Sequence, residues 1–335
     1  MNHWDRLAAA IRGESVDCAP ISLWRHWPQC DQDARALAKA VVTWQRRFDF
    51  DLARFMTSNT FVLEAWGART LYQPNVIGTR AVTHFGVTDV EQWPRLARLD
   101  VNAGSVAIPN VALGMAAQAL GGTVPLMQTV SSPFATARDL AGESVFEHMR
   151  SRPDLLEAGL GIIAETTAEL AREALRSGAS GIALATRCTG LDTLTEAEHE
   201  RFVRAFDLRV LEAVRGSTQF SMLHIRGRNA MFDRISTYPV DMINWQDRAA
   251  GPDLRTARTR FAGLLVGGLD ELGALIHGPV SEVEAMVADA LAQTGGRRVM
   301  IACGDACALA TPDEHIDAAV KAVRTSAETS EERCR

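Results

Sequence analysis

The chain has 335 residues, 47% of them hydrophobic and 23% charged, with a formal net charge of −6 and a pI near 5.8. That acidic balance, with no basic block, argues against nucleic-acid binding and against a membrane-surface role. The start, MNHWDRLAAAIRGES, has no apolar core of signal-peptide length, and no run approaches the ~18 apolar residues of a membrane span, so the expected location is cytoplasmic. Cys18, Cys30, Cys188, Cys303, Cys307 and Cys334 are scattered, and reduced thiols are expected.

In chain order, residues 3–13 have helical spacing and stop at Gly13. Ala19–Trp24 reads as strand one, ending in Trp24-Arg25-His26-Trp27-Pro28. A helix over 31–47 leads to strand two, Asp51–Met56, and to Thr57-Ser58-Asn59. Residues 60–108 are irregular, with a possible hairpin around Thr79–Val87, and form a long insertion of the kind that serves as a lid or subunit contact. A helix over 109–120 precedes strand three, Thr123–Val130. The amphipathic stretch Asp154–Ser177 precedes strand four, Ser180–Thr186, which ends in Arg187-Cys188. A helix near 195–215 leads to strand five, Phe220–Ile225, whose polar groups gather at its end: His224, Arg226, Arg228, Asn229.

Strand six is Val240–Trp245, followed by Gln246-Asp247-Arg248. Strand seven is Phe261–Val266, closing on Gly267-Gly268. A helix at 280–293 precedes strand eight, Arg298–Cys303, and then Gly304-Asp305. The last helix, 313–325, opens after Thr311-Pro312, and 326–335 read as a frayed tail. Short apolar strands without clean alternation, separated by helices, mean a parallel sheet buried on both faces. Eight of them predict an α/β fold of the (β/α)8 TIM-barrel type, one domain over 1–335. No GxGxxG follows strand one, which counts against dinucleotide binding.

Several stretches resemble the uroporphyrinogen decarboxylase (UroD) superfamily. They are AAIRGESVDCAP (9–20), the segment from Phe48 to Gly67, HIRGRNAMFDRISTYPVDMINWQDR (224–248) and the run from Gly304 to Arg324. The resemblance spans nearly the whole chain. It implies a (β/α)8 barrel, a homodimer, and an active site at the strand C-termini. The decarboxylases of that superfamily work without cofactor and carry RQAGR after strand one and an aspartate after strand two. Here those positions read Trp24-Arg25-His26-Trp27-Pro28 and Thr57-Ser58-Asn59, so uroporphyrinogen itself is not the expected substrate. The corrinoid-linked methyltransferases use zinc held by H-x-C and a later cysteine. His224 and Cys303 match two of those positions, and Arg226 stands at the third.

The expected mouth has His224, Arg226 and Asp247 as catalytic groups, and Trp24, Arg25, His26, Asn59, Arg187 and Asn244 around the substrate. Imidazole titrates near working pH, and guanidinium forks suit carboxylate or phosphate. With the zinc motif broken, the first expectation is a cofactor-free lyase of decarboxylase type, acting on a small anionic aromatic or pyrrole-like substrate. The alternatives are a methyltransferase with zinc (on His224 and Cys303) and a corrinoid protein as partner, or a barrel that binds a tetrapyrrole or corrinoid without chemistry.

Overall fold

The computed structural model describes residues 1–58, 60–187 and 189–332, with side chains up to Ser326. Its strands are β1 (Ala53–Phe55), β2 (Arg69–Tyr72), β3 (Arg80–His84), β4 (Leu126–Ser131), β5 (Gly181–Thr186), β6 (Phe220–Ile225), β7 (Met242–Asn244), β8 (Leu264–Leu269) and β9 (Val299–Cys303). Seven form one curled parallel sheet in the order β1-β4-β5-β6-β7-β8-β9, and β2 pairs with β3 in a separate antiparallel hairpin. The order follows the chain because each connection carries at least one helix across the outer face, the usual way to join parallel neighbours.

Where eight strands were expected, the sheet has seven. The expected strand one is reduced to a parallel bridge between Ile21 and Ile301. The local chemistry explains this: Pro20 has no N–H to give, and the Ile21 N–H goes to the carboxylate of Asp51 at 2.9 Å. The segment still lies between the two edge strands. Ser22 N donates to Ile301 O at 3.0 Å, and Asp51 N donates to Ile21 O at 2.8 Å. Asp51 has a fully buried side chain and also accepts from Arg6 (2.6 Å) and Arg324 (2.9 Å), with His3 at 3.0 Å. One carboxylate thus ties the first helix, His3–Arg12, and the last, Asp313–Glu332, to the join.

Period-two alternation sorts the strand residues. Leu52, Met127, Ala183, Met222, Met242, Leu264, Met300 and Ala302 pack inside the curl, where Leu7 and Ala10 of the first helix cover one end. Phe55, Leu184, Leu223, Ile243, Leu265, Ile301 and Cys303 pack outward against the helices.

Other boundaries moved for identifiable reasons. Residues 60–108 hold a short helix, the hairpin and two 3-10 turns, and the expected hairpin at Thr79–Val87 supplies only the β3 arm. The helices Pro133–Ala141 and Ser144–Ser151 were not anticipated. Gly267 and Gly268 lie inside β8 rather than ending it, because a side chain at 267 would sit 2.5 Å from Asp247 Oδ1. The final helix runs to Glu332 instead of fraying after 325. Among the described residues no helix is long and apolar enough to cross a membrane.

Candidate functional site

β6 delivers His224 and, two residues later, Arg226 to the same inner side. His224 stands next to Asn244 in the register of β6 and β7. Asn244 spends both amide protons on carbonyls, donating to Val266 O and Cys303 O at 2.9 Å each. Its Oδ1 therefore accepts from His224 Nδ1–H, which fixes the tautomer and leaves the Nε2 lone pair for the other side. There Asp305 Oδ1 lies 3.3 Å away, while Asp305 Oδ2 accepts from Arg226 Nε at 2.9 Å.

Burial disfavours charge on both partners of this pair. For His224 it lowers the pKa, and Arg54 acts in the same direction, against the pull of Asp305. For Asp305 burial acts upward, but the bond to His224 and the Arg226 guanidinium outweigh it and hold the carboxyl well below its usual range. With Nδ1 committed to Asn244, a proton on Nε2 would be held between the imidazole and Asp305 Oδ1.

His26, Arg80, Arg187, His224, Arg226 and Asp305 all line one cavity of about 300 Å3. It adjoins a more open recess of about 410 Å3 that shares Arg187, Arg226 and Asp305. Burial pulls the pKa of His26 down to about 4, so it is neutral at pH 7. Arg187 pairs with Asp139, and Arg80 with Asp31 at 2.8 Å. The hairpin loop reaches this rim: Leu309 N donates to Val76 O at 2.8 Å, and Gly78 passes so close to Leu309 and Pro28 that a Cβ there would meet both.

Of the residues expected at the mouth, the fold brings His26, Arg187, His224 and Arg226 to the cavity. Asn244 stands behind His224 as its orienting partner. Asp247 does not reach the cavity; its Oδ1 accepts from Gly268 N at 3.0 Å and its other oxygen faces Arg248. Arg25 points away between two tryptophans, 5.1 Å from the Trp27 ring centre and 5.5 Å from that of Trp44, and donates to Leu309 O. Trp24 turns inward, buried, with the Arg54 guanidinium 4.2 Å over its ring. Asn59 lies outside the described residues.

From the sequence, Arg54 and Arg80 are assigned no role, and Asp305 is named only among the residues that follow strand eight. Arg54 had a legible signal: it is the lone charge inside the apolar run Leu52–Met56.

The expected zinc donors do not fit a metal. His224 faces inward, but Cys303 occupies an odd position of β9 and packs outward, its Sγ 3.3 Å from that of Cys307. Burial raises the Cys303 thiol well above its ordinary value. Arg226 fills the middle position with a cation. Among the described residues no group of three or more His, Cys, Asp or Glu side chains is placed to hold a metal ion.

The sequence matches the family model described as "Uroporphyrinogen decarboxylase (URO-D)" over residues 2–326. Similar curated proteins include the methylcobamide:CoM methyltransferase MtbA of Methanosarcina mazei, 22% identical over 84% of this chain and 86% of that protein. The methylcobamide:CoM methyltransferase MtaA of Methanosarcina barkeri is 24% identical over 95% and 96%. A solved methyltransferase from Methanosarcina mazei superposes with a TM-score of 0.85 at 22% identity, covering 97% of this chain and 99% of that one. A B12-independent methionine synthase from Shewanella has a TM-score of 0.59 at 14% identity, over 95% and 94%. These relatives overturn the expected carboxy-lyase: the similar curated proteins are enzymes named for methyl transfer, and a decarboxylase of porphyrin type no longer stands. The matched span and the shared fold make the chain a member of the uroporphyrinogen decarboxylase (URO-D) family.

Proposed function

We propose that the protein is a methyltransferase that moves a methyl group from a methylated corrinoid, presented by a partner protein, to a small anionic acceptor bound in the cavity. The observation that carries this reading is the His224–Asp305 pair, 3.3 Å apart at the wall of an arginine-rimmed cavity. Similarity to methylcobamide:CoM methyltransferases along most of both chains supports it.

A methylated corrinoid supplies the methyl as a cation equivalent and keeps the electron pair of the bond that breaks. This chain's residues handle the acceptor. An X–H group of the acceptor, a thiol for example, hydrogen-bonds to His224 Nε2. Nε2 takes the proton as the X lone pair forms the new bond to carbon. The imidazolium that results donates to Asn244 Oδ1 on one side and Asp305 Oδ1 on the other, so its charge is compensated where it forms. Arg226 holds Asp305 in place through Nε. This activation replaces a metal-bound thiolate and needs no ligand at position 226.

The test is a methyl-transfer assay. Purified protein is mixed with methylcobalamin and CoM, then with a panel of other small anionic thiols, and loss of the methylcobalamin spectrum is followed. Turnover that survives exhaustive chelation is expected. No demethylation with any acceptor sinks the reading.

A further inference from the structure

Behind β4 lies a second chamber, of about 60 Å3, walled by residues from the sheet and from the helices Ile108–Leu120, Pro133–Ala141 and Pro153–Arg176. Strand alternation explains why β4 reaches it. Met127 packs inside the curl, so Gln128 and Val130 turn outward, and both line the chamber. Thr57, Ser58, Thr129 and Ser131 line this chamber and the His224 cavity alike, so the two adjoin. Their chemistry differs. The His224 cavity is rimmed by arginines and carboxylates, whereas among the described residues no charged side chain lines the one behind β4.

Three buried polar groups in its wall are short of partners. Gln128 is 3% exposed, and its Nε2 donates to Thr129 O at 2.8 Å and to Thr57 Oγ1 at 3.1 Å. A carbonyl only accepts, so the amide nitrogen is fixed on that side. Oε1 is left with no partner among the described residues. Thr136 and Thr167 are 2% and 5% exposed, and their hydroxyls make no hydrogen bond among the described residues. A helical threonine can turn its hydroxyl back to the carbonyl four residues earlier, as Thr294 does to Ala290 O at 2.9 Å. These two do not. Across from them stand Phe61, Val62, Trp66, Val106 and Leu170. Trp66 Nε1 already donates to Ala97 O at 2.8 Å, so that residue offers the chamber only its ring.

We infer that this chamber is a binding site for one short neutral alcohol or amide. Its O–H or N–H donates to Gln128 Oε1, its oxygen accepts from Thr136 or Thr167, and its alkyl end packs against Phe61, Val62 and Trp66. The volume suits that choice. One water needs about 10–15 Å3, so the space holds a molecule of about five heavy atoms. An ordered water wants about two to four polar partners, and the apolar half of the wall offers none. An ion would lose its hydration and meet no counter-charge. A molecule with one polar and one alkyl end fits both halves. The inference does not depend on which reaction the neighbouring cavity performs.

The experiment measures binding to the full chain by ligand-observed NMR titration. 1-Butanol and propionamide are compared with diethyl ether, the isomer of butanol that has no donor. Wild type is expected to prefer each donor molecule over the ether by at least ~10-fold. Propionate, matched in size to propionamide but charged, is expected not to displace bound 1-butanol. The double variant Thr136→Val/Thr167→Val removes the preference, and Thr136→Ser/Thr167→Ser retains it. Neither threonine lines the His224 cavity, so that loss places the ligand behind β4. If the double valine variant fails to fold, each single substitution takes its place. No binding of 1-butanol, which would leave water as the occupant, overturns the inference. So does equal affinity for alcohol and ether in wild type, an unchanged preference in the valine variants, or displacement by propionate.

Discussion

Replacing Asp51 by Asn isolates the tie that joins the two ends of the chain to the sheet edge. The carboxylate is fully buried and serves Arg6, Arg324, His3 and the Ile21 N–H. Asn offers one acceptor where two charged oxygens stood. Arg6 keeps Asp17 at 2.7 Å, but Arg324 is left with the Asp49 carbonyl and the Cys18 sulfur. Removing one member of a buried ionic cluster costs about 3–5 kcal/mol. Unfolding entropy for 335 residues is about 0.7 kcal/mol/K near 60 °C, so Tm should fall by about 4–7 °C at pH 7. Differential scanning calorimetry reads this directly, and a shift under ~2 °C would show that the join does not depend on the charge. The pH dependence has a defined sign. Burial acts upward on the Asp51 pKa, but His3 and Arg324 bring it below its ordinary value, so its contribution is present at neutral pH and disappears as pH falls through the lowered value. The His3 pKa is raised, chiefly by its bond to Asp51, so its contribution is complete below ~6.5 and disappears as pH rises through the raised value.

His224→Gln should cut methyl transfer at least ~100-fold while leaving acceptor affinity nearly intact; near-normal turnover would remove the imidazole from the proton path. Arg226→Met should weaken binding of anionic ligands and lower turnover by loosening Asp305, and unchanged values for both would place that guanidinium outside the chemistry. Asp207 is buried against Tyr238 at 3.1 Å, and burial lifts its pKa to about 7. Wild type therefore loses stability as pH rises from 4 to 7, by up to about 4 kcal/mol. Urea titrations of Asp207→Asn should show a flatter profile over that window, and parallel profiles would contradict the assignment.

The parts of the fold visible in the sequence were those governed by local pattern. β6 reads as a strand at Phe220–Ile225 because an unbroken apolar run meets a cluster of polar residues and a glycine at one end. His224 and Arg226 share a side by spacing alone. What could not be read was anything set by which way a given strand turns its residues. Cys303 matched a ligand position in the motif, yet the phase of β9 puts Ala302 inside and Cys303 outside. The pair Gly267-Gly268 read as a stop, and is instead a gap that admits the Asp247 carboxylate. Arg25 and His26 are adjacent in sequence and part company in space, one held against Trp27 and Trp44 and the other lining the cavity. Asp305 acquires its role only through contacts with His224 and Arg226 about eighty positions away, a relation no window of sequence contains.

The size of the chamber sorts the two reactants. About 300 Å3 accommodates a short acceptor, and a corrinoid macrocycle is too large to lie inside it. Under the proposed reaction the donor stays outside, laid across the opening, and the acceptor rises to meet it from below. Gly78, Thr79, Arg80 and Val82 of the hairpin segment line the same cavity, so a carrier protein that brought the donor there would meet the hairpin.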